Sequence, residues 1–194
     1  MTHSNRIWSI FRWAAGAVAA VGAMPNTAYA CRIVVPLVLD DVSSADVVVI
    51  GRIDDYRIIR DEAARARLLA QPNLSAEMRR LYEDPEQSLL SDYARFDIQV
   101  DQVLVGRAPE TISVRWDNST FEESREMGLG PFLIALRRFS SAGPPPRGLS
   151  ATILPNPAPD VFMILQAYCS GPFIFRSESE EAHTVQAILL TAQR

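Results

Sequence analysis

Lysine is absent from this 194-residue chain, so every one of its 19 basic side chains is an arginine. Histidine and cysteine occur only twice each. Four scattered soft ligands exclude the closely spaced Cys/His sets of a structural zinc site, and no cofactor is expected. Basic charge is also scarce. Asp and Glu together number 23, for a formal net charge of −4. Phosphate neutralisation needs a basic patch, so nucleic acid is not expected as a partner. Beyond residue 30 no apolar run approaches the roughly 20 residues that span a bilayer, which excludes stable membrane insertion of the remaining chain. Catalytic strings are missing too. Ser170, in "CSGP", lacks the Gly-x-Ser-x-Gly elbow and reads as a turn. Asp54-Asp55 and Glu122-Glu123 lack the spacing of a calcium loop and read as solvated faces. His183, the only histidine after residue 30, reads as a solvated helix residue. An enzyme is therefore not expected.

What is present begins with an export signal over residues 1–30. Arg6 and Arg12 supply a positive start without any acid, Trp13 to Met24 is apolar, and Ala28-x-Ala30 meets the small-residue rule for cleavage. The apolar stretch is too short to remain as a spanning helix. Cleavage after Ala30 leaves Cys31 at the start of a chain with 17 arginines against 23 acids, a net charge of −6. That product is expected in the periplasm or outside the cell, as one domain over residues 31–194. Cys31 has three readings: half of a disulfide with Cys169, a lipid anchor, or a metal-chelating terminus. The even count in an exported chain favours the disulfide. Tyr29 and Ala28 before the cysteine fit a lipidation site less well.

Hydrophobic periodicity predicts five strands. Residues 46–57 start as a β-branched run buried on both faces, with a bulge or bend at Gly51. Residues 93–105 alternate, with Phe96, Ile98, Val100 and Val103 inward and Arg95, Asp97, Gln99 and Asp101 outward. Residues 111–116 alternate again, residues 131–139 read as a buried strand, and residues 160–168 as the last strand. Between the first two strands, residues 61–92 form a helical insertion, with Asp61 and Ser75 as caps and Met78, Leu81 and Tyr82 on one face. The proline-rich residues 142–159 must be irregular. Ser177-x-x-Glu180 predicts a capping box for a C-terminal helix whose inner face holds Val185, Ile188 and Leu189. The pattern is mainly β and predicts a five-stranded Greek-key barrel, with a helical insertion and a C-terminal helix. Trp116 and Asn118, at the end of the third strand, would form a ligand face near a loop mouth.

"SSADVVVIGRI", "RFDIQVDQVLVGRAPETISV" and "GPFLIALRRF", followed by a strand ending in cysteine, resemble the netrin-like family and the inhibitory domain of the tissue inhibitors of metalloproteinases. The resemblance rests on Cys31, Ala45-Asp46-Val47-Val48, Val103-Leu104-Val105-Gly106 and Phe132-Leu133-Ile134. It implies the oligonucleotide/oligosaccharide-binding (OB) type of barrel and a disulfide that holds Cys31 against it. It also implies that the α-amine and carbonyl of Cys31 chelate the zinc of a partner protease. An α-amine with pKa near about 7.7–8.0 is a competent zinc ligand when neutral. Residue 33, where that family has its second cysteine, is Ile33. The expectation is therefore an exported, non-enzymatic module acting through protein–protein contacts. Its partner is an unknown protein, with an extracytoplasmic protease, inhibited through Cys31, as the alternative.

Overall fold

The computed structural model describes residues 35–87, 89, 91–117, 126–128, 130–145, 147, 158 and 160–192. A 3-10 helix, Leu39–Ser44, leads into β1, Val47–Ile59. Helices α1, Glu62–Leu69, and α2, Ala76–Glu83, follow. Then come β2, Tyr93–Val105, β3, Thr111–Asp117, and β4, Phe132–Arg137. The chain ends with β5, Phe162–Ile164, β6, Ile174–Arg176, and α3, Glu180–Ala192.

Antiparallel pairing joins β1 to β2 and β2 to β3. β3 then pairs in parallel with β5, and β5 pairs antiparallel with β4. β4 returns to β1 and closes the wall. The strand pattern predicts a closed five-stranded barrel, and the order found, β1-β2-β3-β5-β4-β1, is that of an OB-type barrel. Two details differ from expectation. The last barrel strand has only three residues, because the chain turns through residues 168–170, with Gln166 bridging back to Pro172. The returning segment becomes β6, a sixth strand that pairs with Phe132–Ile134 of β4 on the same edge as β5.

Alternation sets two cores, one on each side of the wall. Val47, Val49, Phe96, Ile98, Ile112, Val114, Phe132, Ile134 and Leu136 fill the barrel. Val48, Leu133, Ala135, Leu165 and Phe173 point outward under Ala182, Val185 and Leu189 of α3 and Val42 of the 3-10 helix. This is why β1 starts, and β4 runs, apolar on both faces. Gly51 lies where β1 shifts register against β2, and a Cβ there would sit 2.5 Å from the Gln99 carbonyl oxygen. Gly106, at φ +77°, turns the chain so close to the Asp46 carbonyl that no side chain fits. Val103 is 40% exposed rather than in the core. Two extra residues of β2, at Asp101 and Leu104, bulge against β1 and bring Val103 opposite Val49 without burying it.

The insertion is helical as expected. Ala64 N donates to the Asp61 cap at 2.8 Å, and Met78 N to the Ser75 cap at 3.2 Å. Its base is less polar in effect than its composition suggests. Arg65 and Asp92 are both buried and pair at 2.6 Å, and Asp92 also accepts from Asp61 N and Leu89 N. α2 buries no residue, and Met78 and Leu81 are each 37% exposed. At the other end of the chain, Ser179 caps α3 by accepting from Ala182 N at 3.2 Å. The expected cap, Ser177, instead donates its backbone N–H to Pro131 and its hydroxyl to Glu178. Most of residues 142–159 lies outside the described set. Within it, Arg147 forks onto the buried Asp41 carboxylate of the 3-10 helix, one arm at 2.6 Å.

Candidate functional site

The expected ligand face does not form around Trp116. Strand β3 alternates Ile112, Val114 and Trp116 inward, so the indole is only 6% exposed and belongs to the barrel core. Its Nε1 donates to Gln166 Oε1 at 3.2 Å, and Gln166 Nε2 donates to the Ser170 carbonyl at 2.7 Å. A ring held this way offers no stacking surface. Asn118, Glu122 and Glu123 lie outside the described residues, as do Ala30 and Cys31.

Cys169 is buried, in a left-handed conformation (φ 66°), and is disulfide-bonded. Its carbonyl accepts from Val35 N at 2.8 Å, which ties the first described residue to this turn. Ser170 is completely buried, inside the turn that the sequence predicts. His183 is exposed on α3. Among the described residues, no group of three or more His, Cys, Asp or Glu side chains could hold a metal ion, and no helix is long and apolar enough to cross a membrane.

Charged chemistry concentrates elsewhere, on the outer wall of β1, β2 and β3. Between Asp54 and Arg57, β1 spends one extra residue against β2. Asp55 takes the left-handed conformation there, at φ 50°, which aspartate tolerates better than most residues. The bulge resets the alternation. Tyr56 turns inward onto Phe96, ring centroids 5.5 Å apart, and Arg57 turns outward. Arg57 then stands opposite Arg95 of β2, and Arg95 opposite Arg115 of β3. The same rung continues through Met163 of β5 to Arg137 of β4. Four strands thus place an arginine on one rung, and three of the four are directly opposed. Like charges directly opposite on neighbouring strands are destabilising.

The four arginines differ in their surroundings. Arg57 pairs with Asp55, and its side chain is 53% exposed. Arg115 is buried, pairs with Asp117 and stacks over the Tyr93 ring at 4.4 Å. Arg137 is half-buried and donates to the Ser141 carbonyl at 3.2 Å, while its Nε has no hydrogen-bond partner among the described residues. Arg95 is half-buried and, among the described residues, has no ion-pair partner. Burial pushes the Asp117 carboxyl above the usual aspartate range, against the opposing pull of Arg115 and Arg137. The next rung carries Asp54, Asp97 and Ser113, with Ser113 donating to Asp97 at 2.6 Å. Acids thus separate the arginine row from the next cation on this wall, Arg52, which pairs with Asp101 at 2.8 Å. Guanidinium forks in that setting suit planar carboxylates.

Alternation alone predicts that Arg95 faces water. It does not reveal that Arg57 and Arg115 share its rung, because register across strands and the bulge at Asp55 come from tertiary pairing. The readable signal was the repeated Asp-Asp before Tyr56, where strict alternation would drive Asp55 and Arg57 into the core. Compared with family models, curated proteins and solved structures, the chain matches none.

Proposed function

We propose that the chain is an exported, non-enzymatic binding module that works through protein–protein contacts on the outer wall of its barrel. In this reading residues 1–30 direct export to the periplasm or beyond. Cleavage between Ala30 and Cys31 frees the terminus, and Cys31 pairs with Cys169. The observation that carries the reading is the arginine row. Direct opposition of Arg57, Arg95 and Arg115 costs stability, Arg95 has no acid of its own among the described residues, and a partner carboxylate supplies its countercharge. Arginine, tyrosine and methionine, the residue types of this rung and its edge, are also those enriched at protein interfaces. The resemblance to netrin-like modules agrees with it.

The test is comparative capture from an extracytoplasmic fraction, with chemical crosslinking. The wild-type protein and an Arg57→Thr/Arg95→Thr/Arg137→Thr variant are the two baits. A protein captured by the first and lost from the second supports the reading. Identical capture profiles refute it.

One observation favours a second reading, inhibition of a zinc protease by the Cys31 terminus. The Val35–Cys169 hydrogen bond holds the chain, four residues after Cys31, against the turn that carries the disulfide-bonded Cys169. Rigid presentation is what a chelating amine needs. An added alanine before Cys31 should abolish any such inhibition while leaving the fold intact. Inhibition that survives the added alanine would exclude this mechanism.

A further inference from the structure

We infer that the arginine row takes a carboxylate-rich segment of a partner polypeptide, with Arg95 as the central contact; this rests on the binding-module reading above. Arg95 stands between two cations that already have acids of their own, Asp55 for Arg57 and Asp117 for Arg115. It is the one member of the trio with no acid of its own among the described residues. Arg57, Arg95 and Arg137 are all accessible to some degree. The buried Arg115 does not reach a partner. It holds the Tyr93 ring at 4.4 Å and adds charge beneath the row, so it is a positioning residue.

The width of the row selects the class of anion. Asp54 and Asp97 bound it on one side, and Asp117 on the other. A nucleic-acid backbone carries charge along its whole path and would lie over those carboxylates. Glutamate or aspartate side chains deliver isolated charges onto a single rung and accept both arms of a guanidinium. Tyr93 and Ile59, on the adjoining rung, offer apolar contact to the stems of such side chains.

The experiment measures anisotropy of a labelled oligo-glutamate peptide with the full exported protein, at low and at physiological salt. A single-stranded oligonucleotide and a sulfated polysaccharide serve as competitors. Arg95→Thr should weaken peptide binding at least about tenfold, the scale of one lost charge-assisted hydrogen bond. Arg107→Thr removes the same charge from the exposed turn after β2 and should leave binding unchanged. Arg95→Lys keeps the charge without the fork and should fall between. Equal weakening by Arg95→Thr and Arg107→Thr, or no peptide binding at all, overturns the inference. Tighter, Arg95-dependent binding of the oligonucleotide or polysaccharide also overturns it. If crosslinked capture depends on the row while the peptide ignores Arg95, the inference falls and the binding-module reading stands. If neither depends on it, both fall.

Discussion

Where β1 and β4 run side by side, the outer wall of the barrel presents Val48, Leu133 and Ala135. Helix α3 and the 3-10 helix cover them, and a second core forms. Further along the same β1, past its bulge, the outer wall presents Arg57, and its neighbours present Arg95 and Arg115. One wall is closed by the chain's own elements. The other carries a row of arginines whose central member, Arg95, has no ion-pair partner among the described residues. The contrast teaches that barrel closure does not decide what the outside does. Each stretch of wall is assigned by the side chains that alternation and bulges turn outward.

The covered wall should fail first. Phe173 is fully buried there and meets Phe175 edge-on, with centroids 5.7 Å apart. Phe173→Ala should cost about 3–5 kcal/mol, read from urea unfolding. A loss below about 1 kcal/mol would mean that α3 and its core are not part of the cooperative unit. The insertion that leaves β1 at the charged end should come next. Arg65→Ala strands the buried Asp92 carboxylate, and breaking a buried pair costs on the order of 3 kcal/mol or more. Asp92 still receives backbone donors from Asp61 and Leu89, so the loss should sit at the low end of that range. Replacing residues 62–88 by a short Gly/Ser loop should, by contrast, leave the barrel's cooperative melt in place, since loop length itself costs little. Loss of that melt would make the insertion part of the core.

The two walls also differ in how pH acts on them. Asp46, at the start of β1, is partly desolvated, which raises its pKa. Hydrogen bonds from Ser141 Oγ and Arg138 N, with the charges of Arg138 and Arg137, outweigh that and leave it below the usual value of 3.8. A carboxyl with a depressed folded pKa adds stability above its unfolded pKa, and that stability is lost as pH falls through the folded one. Asp117, beside the arginine row, is raised instead, so its contribution has the opposite sign and diminishes stability as pH rises through its window. Asp46→Asn should flatten the acid limb of the stability profile below about pH 4, and Asp117→Asn should steepen it. The same sign for both variants would remove the distinction.

How much of this was legible depended on which interactions set it. The strands, the insertion caps Asp61 and Ser75, and the double-sided burial of β1 and β4 follow from local pattern and chain-local hydrogen bonds. β6 and the Ser179 cap were not legible, because the turn at Cys169–Gly171 and the Pro131 carbonyl that claims Ser177 are tertiary. Trp116 illustrates the limit at the site. Its phase in β3 pointed inward with Ile112 and Val114, and the placement of Gln166 opposite its indole N–H made burial affordable for a polar ring atom. The arginine row was hidden by the bulge at Asp55. Bulges shift the phase of a strand midway, and only the pairing shows where.

The smallest expected effect is the most discriminating. If the arginine row were structural, Arg95→Thr would destabilise the barrel like any lost core contact. If the row is held for a partner, removing the central charge relieves opposition with Arg57 and Arg115, and threonine suits a strand at least as well. Arg95→Thr should therefore lie within about 0.5 kcal/mol of the wild type, with any gain appearing at low salt. That gain should shrink as salt screens the trio, because the Debye length falls to about 8 Å near physiological ionic strength. Chemical denaturation in urea, repeated at two salt concentrations, reads this directly, since urea leaves ionic strength unchanged. A salt-independent loss of more than about 2 kcal/mol would show that Arg95 supports the fold. The charged wall would then differ from the covered one only in the polarity of the groups that hold it together.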